Sequence, residues 1–400
     1  MPRNRTIYNV QGLFVAPYSG ESQPFNFPNT RVLKRIEKVN SVDYSISEDR
    51  LNIAAFGAKS SVFRGAPNSP QAQLDFSYIP DGFTNESRLG FDVAHFSGQN
   101  SRMFSGLLTN SELLNKRDFY LVVNETSTDL LSPRAFSETI LNPSSVNQII
   151  DPRSLSYSVI HFQNCYLKNY SFSCSIGAIS RVIQSYDCDN FIYYSSGSGI
   201  QYTTLDTRTG ENIKAKDNII IPCSINYTDQ KVSGQNVLLP RNASLTFNGS
   251  TTTGVNFYSE DVQAFSLGLN FKRREQRRIN HVFPISRRLT FPLQGKVTFS
   301  LLASKLLSGS IADSLNRDED YNISVNFSSD KIGVDNTFIG ITGCRFLELS
   351  YDSNIGDNKM ASLGFEFEID PDFGNRGIFA SGNILYGITG NQNTKKELIF

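Results

Sequence analysis

Apolar and polar residues alternate with a period of two in segment after segment of this chain. The clearest are SVDYSIS (41–47), QLDFSYI (73–79), DFYLVVNE (118–125), VIHFQNCYLKNYSFSC (159–174), KVTFSLL (296–302), YNISVNF (321–327) and SLGFEFEI (362–369). Strict alternation sends successive side chains to opposite faces of a pleated strand, so each segment predicts a strand with one buried and one wet face. Two stretches, SELLNK (111–116) and LASKLLSGSIADSL (302–315), carry a helical rhythm and predict short covering helices between strands. The Ser/Gly stretch SSGSG (195–199) and the polar run to about Gly234 mark a boundary.

Laid against itself, the chain matches in order. CYLKNYSFSCSIG, from Cys165 to Gly177, aligns without a gap to CRFLELSYDSNIG, from Cys344 to Gly356. The match keeps Cys165 with Cys344, Ser171 with Ser350 and Gly177 with Gly356. At the same offset Asp187 and Asp189 meet Glu366 and Glu368. Upstream, DYSIS (43–47) pairs with AFSLG (264–268), LDFSYI (74–79) with VTFSLL (297–302), DFYLVVN (118–124) with DYNISVN (320–326), and NVQGLF (9–14) with NASLTF (242–247). Ordered matches over so long a period predict two globular copies of one domain. The expected bounds are 1–190 for the first copy, 191–234 for a closing strand and connector, and 235–400 for the second.

Size and composition agree with this division. The chain has 400 residues, whereas single cores stop growing at about 250–300. Its 30 Phe and 17 Tyr, beside many Ser, Asn, Thr and Val, favour an all-β fold. The 38 basic and 38 acidic residues cancel, which excludes a global field drawing the molecule onto nucleic acid or an anionic membrane. MPRNRTIYNV contains no apolar run of secretory length, and no apolar stretch of spanning length occurs. A soluble protein made in the cytoplasm, without a membrane anchor, is expected. With five Cys, at 165, 174, 188, 223 and 344, free thiols are expected over a disulfide framework.

The phrases IEKVNSVDYSIS, AQLDFSYIPDGFTNESRLGFDV and NCYLKNYSFSCSIGAI, with the second Cys, aromatic, Ser and Gly rhythm at Cys344, Ser350, Tyr351 and Gly356, resemble the tail-tube proteins of long-tailed bacteriophages. That resemblance implies β-sandwich-like or barrel-like tube domains and rings of six such domains stacked into a hollow tube that passes DNA. With two domains per chain it implies homotrimeric rings of pseudo-sixfold symmetry, contacts with other tail proteins, and residence in the virion tail. A tail-end, connector or baseplate-hub protein of the same fold is the alternative. A carbohydrate-binding sandwich is disfavoured by the absence of Trp, and an outer-membrane barrel by the charged KKELIF end.

No enzyme chemistry is expected. Walker, HExxH, GxSxG and CxxC motifs are absent, and His95, His161 and His281 stand far apart without ligand spacing, so neither metal nor cofactor is anticipated. DSNIGD (352–357) begins like a calcium loop but has Leu363 where the bidentate Glu belongs. The carboxylates at 187/189 and 366/368 could suggest a glycosidase pair, yet both copies carry them on an alternating strand. Asp187, Asp189, Glu366 and Glu368 are therefore expected to face water, with the tube lumen the expected side, where they would repel DNA phosphates. Lys272, Arg273, Arg274, Arg277, Arg278, Arg287 and Arg288 face only Glu275 within 272–288, a local charge of +6. This run predicts a hairpin that contacts a neighbouring subunit, in preference to phosphate binding or a solvated loop.

Overall fold

A computed structural model describes residues 11–16, 30–54, 56–57, 59–65, 69–94, 101–105, 116–124, 157–194, 201–205, 209, 212–220, 237–248, 262–302, 320–328, 336–352, 360–369 and 376–382. Among these the chain is nearly all strand, as the alternation predicts. In chain order the first group is β1 (Gln11–Val15), β2 (Thr30–Val32), β3 (Lys34–Arg35), β4 (Val39–Ser47), β5 (Leu51–Ala54), β6 (Ser61–Gly65) and β7 (Gln71–Tyr78), then helix α1 (Thr84–Arg88). It continues with β8 (Ser101–Arg102), β9 (Lys116–Asn124), β10 (Tyr157–Ser175), β11 (Arg181–Cys188) and β12 (Asn190–Tyr194). β13 (Gln201–Leu205) and β14 (Asn212–Ile220) follow and make a separate three-stranded sheet with β2.

The second group is β15 (Ala243–Asn248), β16 (Val262–Asn270), β17 (Arg273–Gln276), β18 (Ser286–Leu289) and β19 (Leu293–Leu302). It ends with β20 (Tyr321–Phe327), β21 (Thr337–Asp352), β22 (Met360–Ile369) and β23 (Gly377–Ser381). The stretches 111–115 and 303–315, where helical rhythm was read, lie outside the described residues, as does 353–357 of the calcium-like loop.

The main sheet has 16 strands. Its central path runs β4-β7-β11-β10-β16-β19-β22-β21, antiparallel throughout. The order β4-β7-β11-β10 recurs as β16-β19-β22-β21, and β10 to β16 is where the two runs meet. The flanks correspond too. β10 pairs with β9 and β12 and β9 with β1, while β21 pairs with β20 and β23 and β20 with β15.

Irregularities recur at matching places. The β4–β7 register slips between Val39 and Ser41, and the β16–β19 register between Val262 and Ala264. Leu167/Asn169 in β10 and Phe346/Glu348 in β21 bulge against β11 and β22. A second break in each long strand places a left-handed residue just before the motif cysteine, Asn164 (φ 48) before Cys165 and Gly343 (φ 73) before Cys344. A bulge bends a strand, and here it lets one strand serve two layers. The first half of β10 pairs with β9 and β12, and its second half with β11 and β16.

The registers revise three of the matches read from sequence. Tyr44, opposite Leu74, takes the place of Leu267, opposite Val297, so DYSIS shifts by two residues against AFSLG. Phe119, opposite Phe162, likewise takes the place of Ile323, opposite Ile341. Such even shifts keep every side chain on its face, so periodicity cannot detect them. Leu13, opposite Leu121, corresponds to Leu245, opposite Val325, a shift of one from the NVQGLF match.

One continuous apolar core underlies the sheet and joins both groups. Phe172 meets Phe265 at 5.9 Å across the junction, and Phe104 meets Phe271 at 5.3 Å. α1 closes one end and buries Glu86 entirely. Its carboxylate accepts hydrogen bonds from the Tyr78 hydroxyl at 2.6 Å and the Tyr170 hydroxyl at 3.3 Å. Gln184 donates to Tyr78 and accepts from Tyr186, which completes a polar network inside the core.

Candidate functional site

The basic hairpin forms as β17 and β18, with Glu275 opposite Arg287 and Arg274 opposite Arg288. It does not project as a uniform cationic arm. Arg273 donates through Nε to the Leu167 carbonyl at 3.2 Å and through Nη1 to the Arg287 carbonyl at 3.1 Å. Arg287 is buried, with Nη2 3.1 Å from Asp189 Oδ1 and 3.4 Å from Glu275 Oε1. Both guanidinium groups lie over the Tyr166 ring, at 5.3 and 5.6 Å from its centroid. Desolvation, reinforced by Arg287, pulls the Arg273 pKa down to about 10. Two of the seven basic residues of this predicted inter-subunit hairpin are thus engaged within the chain. Arg273 and Arg287 clamp the hairpin onto the end of β10 and β11 of the same chain, because that end supplies an aromatic face and a carboxylate. Lys272, Arg274, Arg277, Arg278 and Arg288 are exposed, and Arg277 pairs with Glu275 at 2.6 Å.

The four carboxylates separate. Glu366 and Glu368 are exposed, alternating with buried Phe365 and Phe367. Asp187 is half-exposed and 3.1 Å from Lys168 Nζ, alternating with buried Tyr186 and Cys188. Asp189 does not face water, which corrects that expectation: it is 3% exposed. β11 ends at Cys188, so the period-two rule lapses one residue before Asp189, whose amide turns to donate to the Gln163 carbonyl at 3.0 Å. Desolvation raises the Asp189 pKa to about 6 even with the Arg287 charge pulling it down.

The motif residues serve the bends and turns. Cys165 and Cys344 are fully buried just past the left-handed residues, Ser171 and Ser350 lie on the polar face, and Gly177 (φ 82) turns β10 into β11. Gly356 and Cys223 lie outside the described residues. Cys165 and Cys188 are joined as a disulfide, which corrects the expectation of free thiols: the adjacent strands β10 and β11 bring the two side chains together. Cys174 and Cys344 are free and buried, and burial pushes both thiol pKa values up. His161 is buried against the Tyr120 ring at 4.2 Å, with Nε2 3.8 Å from Asp118 Oδ2. His281 sits on the hairpin, and His95 lies outside the described residues. Among the described residues no three His, Cys, Asp or Glu side chains converge on a metal position, and no helix is long and apolar enough to cross a membrane.

Sequence reasoning did not find the largest feature, because it arises only when the strands are laid side by side. Opposite the core, the central eight strands present a largely polar face, with Ile183 an exposed apolar side chain on it. One row reads Ser175, Ala264, Ser300, Ser362, Ser350 in register from β10 to β21, and the next Ser173, Ser266, Thr298, Gly364, Glu348. From β4 inward a third runs Asp43, Asp75, Ser185, Asn169, Asn270. Hydroxyl, amide and small groups dominate, and several charges pair locally, Lys296 with Glu348 and Lys168 with Asp187. A shallow open depression, bordered by Asn169, Gly268, Lys296 and Glu366, lies on the face.

Among the described residues, both ends of this eight-stranded run are open. β4 has β7 on one side and, among the described residues, no strand on the other; the 345–352 stretch of β21 has β22 alone. Large apolar side chains pointing to the core side stay half-exposed there, Tyr44 at 48%, Ile46 at 53% and Tyr351 at 51%. No protein-family model matches the chain, and no curated protein matches its sequence.

Proposed function

We propose that this chain is the structural subunit of a hollow tube, of the kind that forms the tails of long-tailed bacteriophages, and that its central sheet lines the bore. The observation that carries the reading is the broad eight-stranded sheet, polar and weakly charged on one face, packed on the other, and open at both edges. A bore through which DNA slides needs a surface that offers phosphates few fixed cations and a modest acidic bias. Serines, threonines and amides with scattered carboxylates, Asp43, Asp75, Glu366 and Glu368 among them, supply it.

The matched strand order and matched register breaks support a tandem duplication, with 1–190 and 235–400 as the two units and 191–234 between them. On this reading β12, which pairs with β10, would belong to the first unit as well. Two units per chain favour homotrimeric rings, in which each chain supplies two of six positions and closure removes the open edges. Such a subunit would reside in the virion tail and contact other tail proteins.

Electron microscopy of the purified chain tests the reading. Long hollow tubes are the expected result; single closed rings would favour a tail-end, connector or baseplate-hub protein of the same fold, and monomers would refute both. Native mass measurement of a solubilised ring is expected to give three chains, and six would overturn the trimeric arrangement.

A further inference from the structure

We propose that one copy of this chain latches onto the next through the hairpin β5–β6, with the Arg50 and Arg64 positions set against Glu366 and Glu368 of the neighbour while its β4 pairs with the neighbour's residues 345–352. The inference rests on the self-association of the tube reading, and it names the interface. Its template lies inside the chain. At the β10–β16 junction the ladder continues without interruption, and β17–β18 then folds over the ends of β10 and β11 through Arg273 and Arg287.

β4 is followed by β5–β6 in the same way that β16 is followed by β17–β18. Leu51 opposite Gly65 and Asn52 opposite Arg64 repeat the register of Arg274 opposite Arg288 and Glu275 opposite Arg287. Arg50 and Arg64 thus occupy the places of the two clamping arginines, Arg273 and Arg287. The remaining basic positions have no such counterparts: Lys272, Arg274 and Arg288 correspond to Asp49, Leu51 and Gly65. What recurs is the clamp.

The acceptor recurs as well. Glu368 stands at the position of Asp189, the carboxylate that meets Arg287, and Glu366, opposite Lys296, at that of Asp187, opposite Gln73, which inside the chain pairs with Lys168. Among the described residues these ends stay open. Glu366 and Glu368 are exposed, Arg50 is exposed beside Glu48 at 3.3 Å, and Leu51 and Ile53 of the hairpin are about half-exposed. Carrying the junction's register across places Tyr351 opposite Tyr44 and Leu349 opposite Ile46, as Phe172 stands opposite Leu267 and Tyr170 opposite Leu269. The exposed apolar side chains at the two edges then cover each other. One element differs. Tyr166, the ring beneath the internal clamp, corresponds to Arg345, which leans on Asp320 at 3.7 Å. The latch between copies is therefore ionic where the internal one is also aromatic, and it weakens with salt.

The test uses the full chain and follows ring or tube formation by sedimentation and electron microscopy. Reversing Arg50→Glu with Arg64→Glu, or Glu366→Arg with Glu368→Arg, is expected to raise the concentration for half-assembly by about tenfold or more. The quadruple variant carrying both reversals is expected to recover assembly, which a merely unfolded variant cannot do; circular dichroism and melting of each monomer check the fold. Independently, Tyr44→Cys with Tyr351→Cys is expected to give disulfide-linked oligomers on oxidation. A wild-type chain that stays monomeric at every concentration overturns both the latch and the tube reading. Wild-type rings with silent charge reversals, or a quadruple variant that fails to recover, overturn the latch alone.

Discussion

Glu86 makes the fold's stability depend on pH in a direction that can be worked out. Its carboxyl is wholly buried under α1, and desolvation raises its pKa from 4.5 to about 7, although the Tyr78 and Tyr170 hydroxyls favour the ionised form. In the unfolded chain the group titrates near 4.5, so between that value and about 7 the folded state holds the extra proton. The stability it confers is complete below pH 4.5 and is lost as pH rises through about 7. A gap of about 2.5 units corresponds to roughly 3 kcal/mol across that window. Glu86→Gln keeps an oxygen to accept from Tyr78 and cannot ionise, so it is expected to remove most of this slope. Asp189, also raised, leaves a smaller slope of the same sign. Urea denaturation of both proteins between pH 5 and pH 8 measures it. Parallel profiles for the two proteins would refute the assignment of the slope to Glu86.

Two further outcomes follow from the core and the clamp. Arg287→Ala leaves Asp189 buried without its cation and is expected to cost about 3–5 kcal/mol in chemical denaturation, with much less added when Asp189→Asn is combined with it. Gly295 lies under the Phe367 ring, and a Cβ there would overlap the ring carbons, so Gly295→Ala is expected to cost about 1–3 kcal/mol, part of which Phe367→Leu in the same chain restores.

The strands were legible because alternation is a local property: SLGFEFEI and KVTFSLL announce buried and wet faces within seven or eight residues, and β22 and β19 follow them. Asp189 was misread because one residue of context, the end of β11, decides its direction, and the alternation carries no mark of where a strand stops. The clamp made by Arg273 and Arg287 was not legible because their partners, Tyr166 and Asp189, lie about a hundred residues away, and only the β10–β16 junction brings them together. The disulfide between Cys165 and Cys188 escaped notice for the same reason, since an odd count of cysteines does not reveal which two share a pair of adjacent strands.

Among the described residues, β4 and the 345–352 stretch of β21 are strand edges with a neighbour on one side. An exposed strand edge offers unpaired amides and carbonyls to any other strand, and proteins usually blunt it with proline, lysine or a bulge that turns it away. β4 has no proline, a single charge at Asp43, and a register break confined to its start at Val39/Ser41; the rest runs regularly along β7. At the far end, residues 345–352 of β21 carry Arg345, Glu348 and Asp352 but also Leu349 and Tyr351. β4 carries no such device beyond its start, whereas the β21 edge holds a bulge at Phe346/Glu348 and three charges; under the latch proposed above each edge pairs with the other and not with itself. A self-complementary edge would give a twofold dimer, whereas two different edges that fit each other give a head-to-tail contact, which closes into a ring when the rotation between copies divides the circle. Under the tube reading, closure satisfies both edges of every copy at once and leaves the polar face as the wall of the bore.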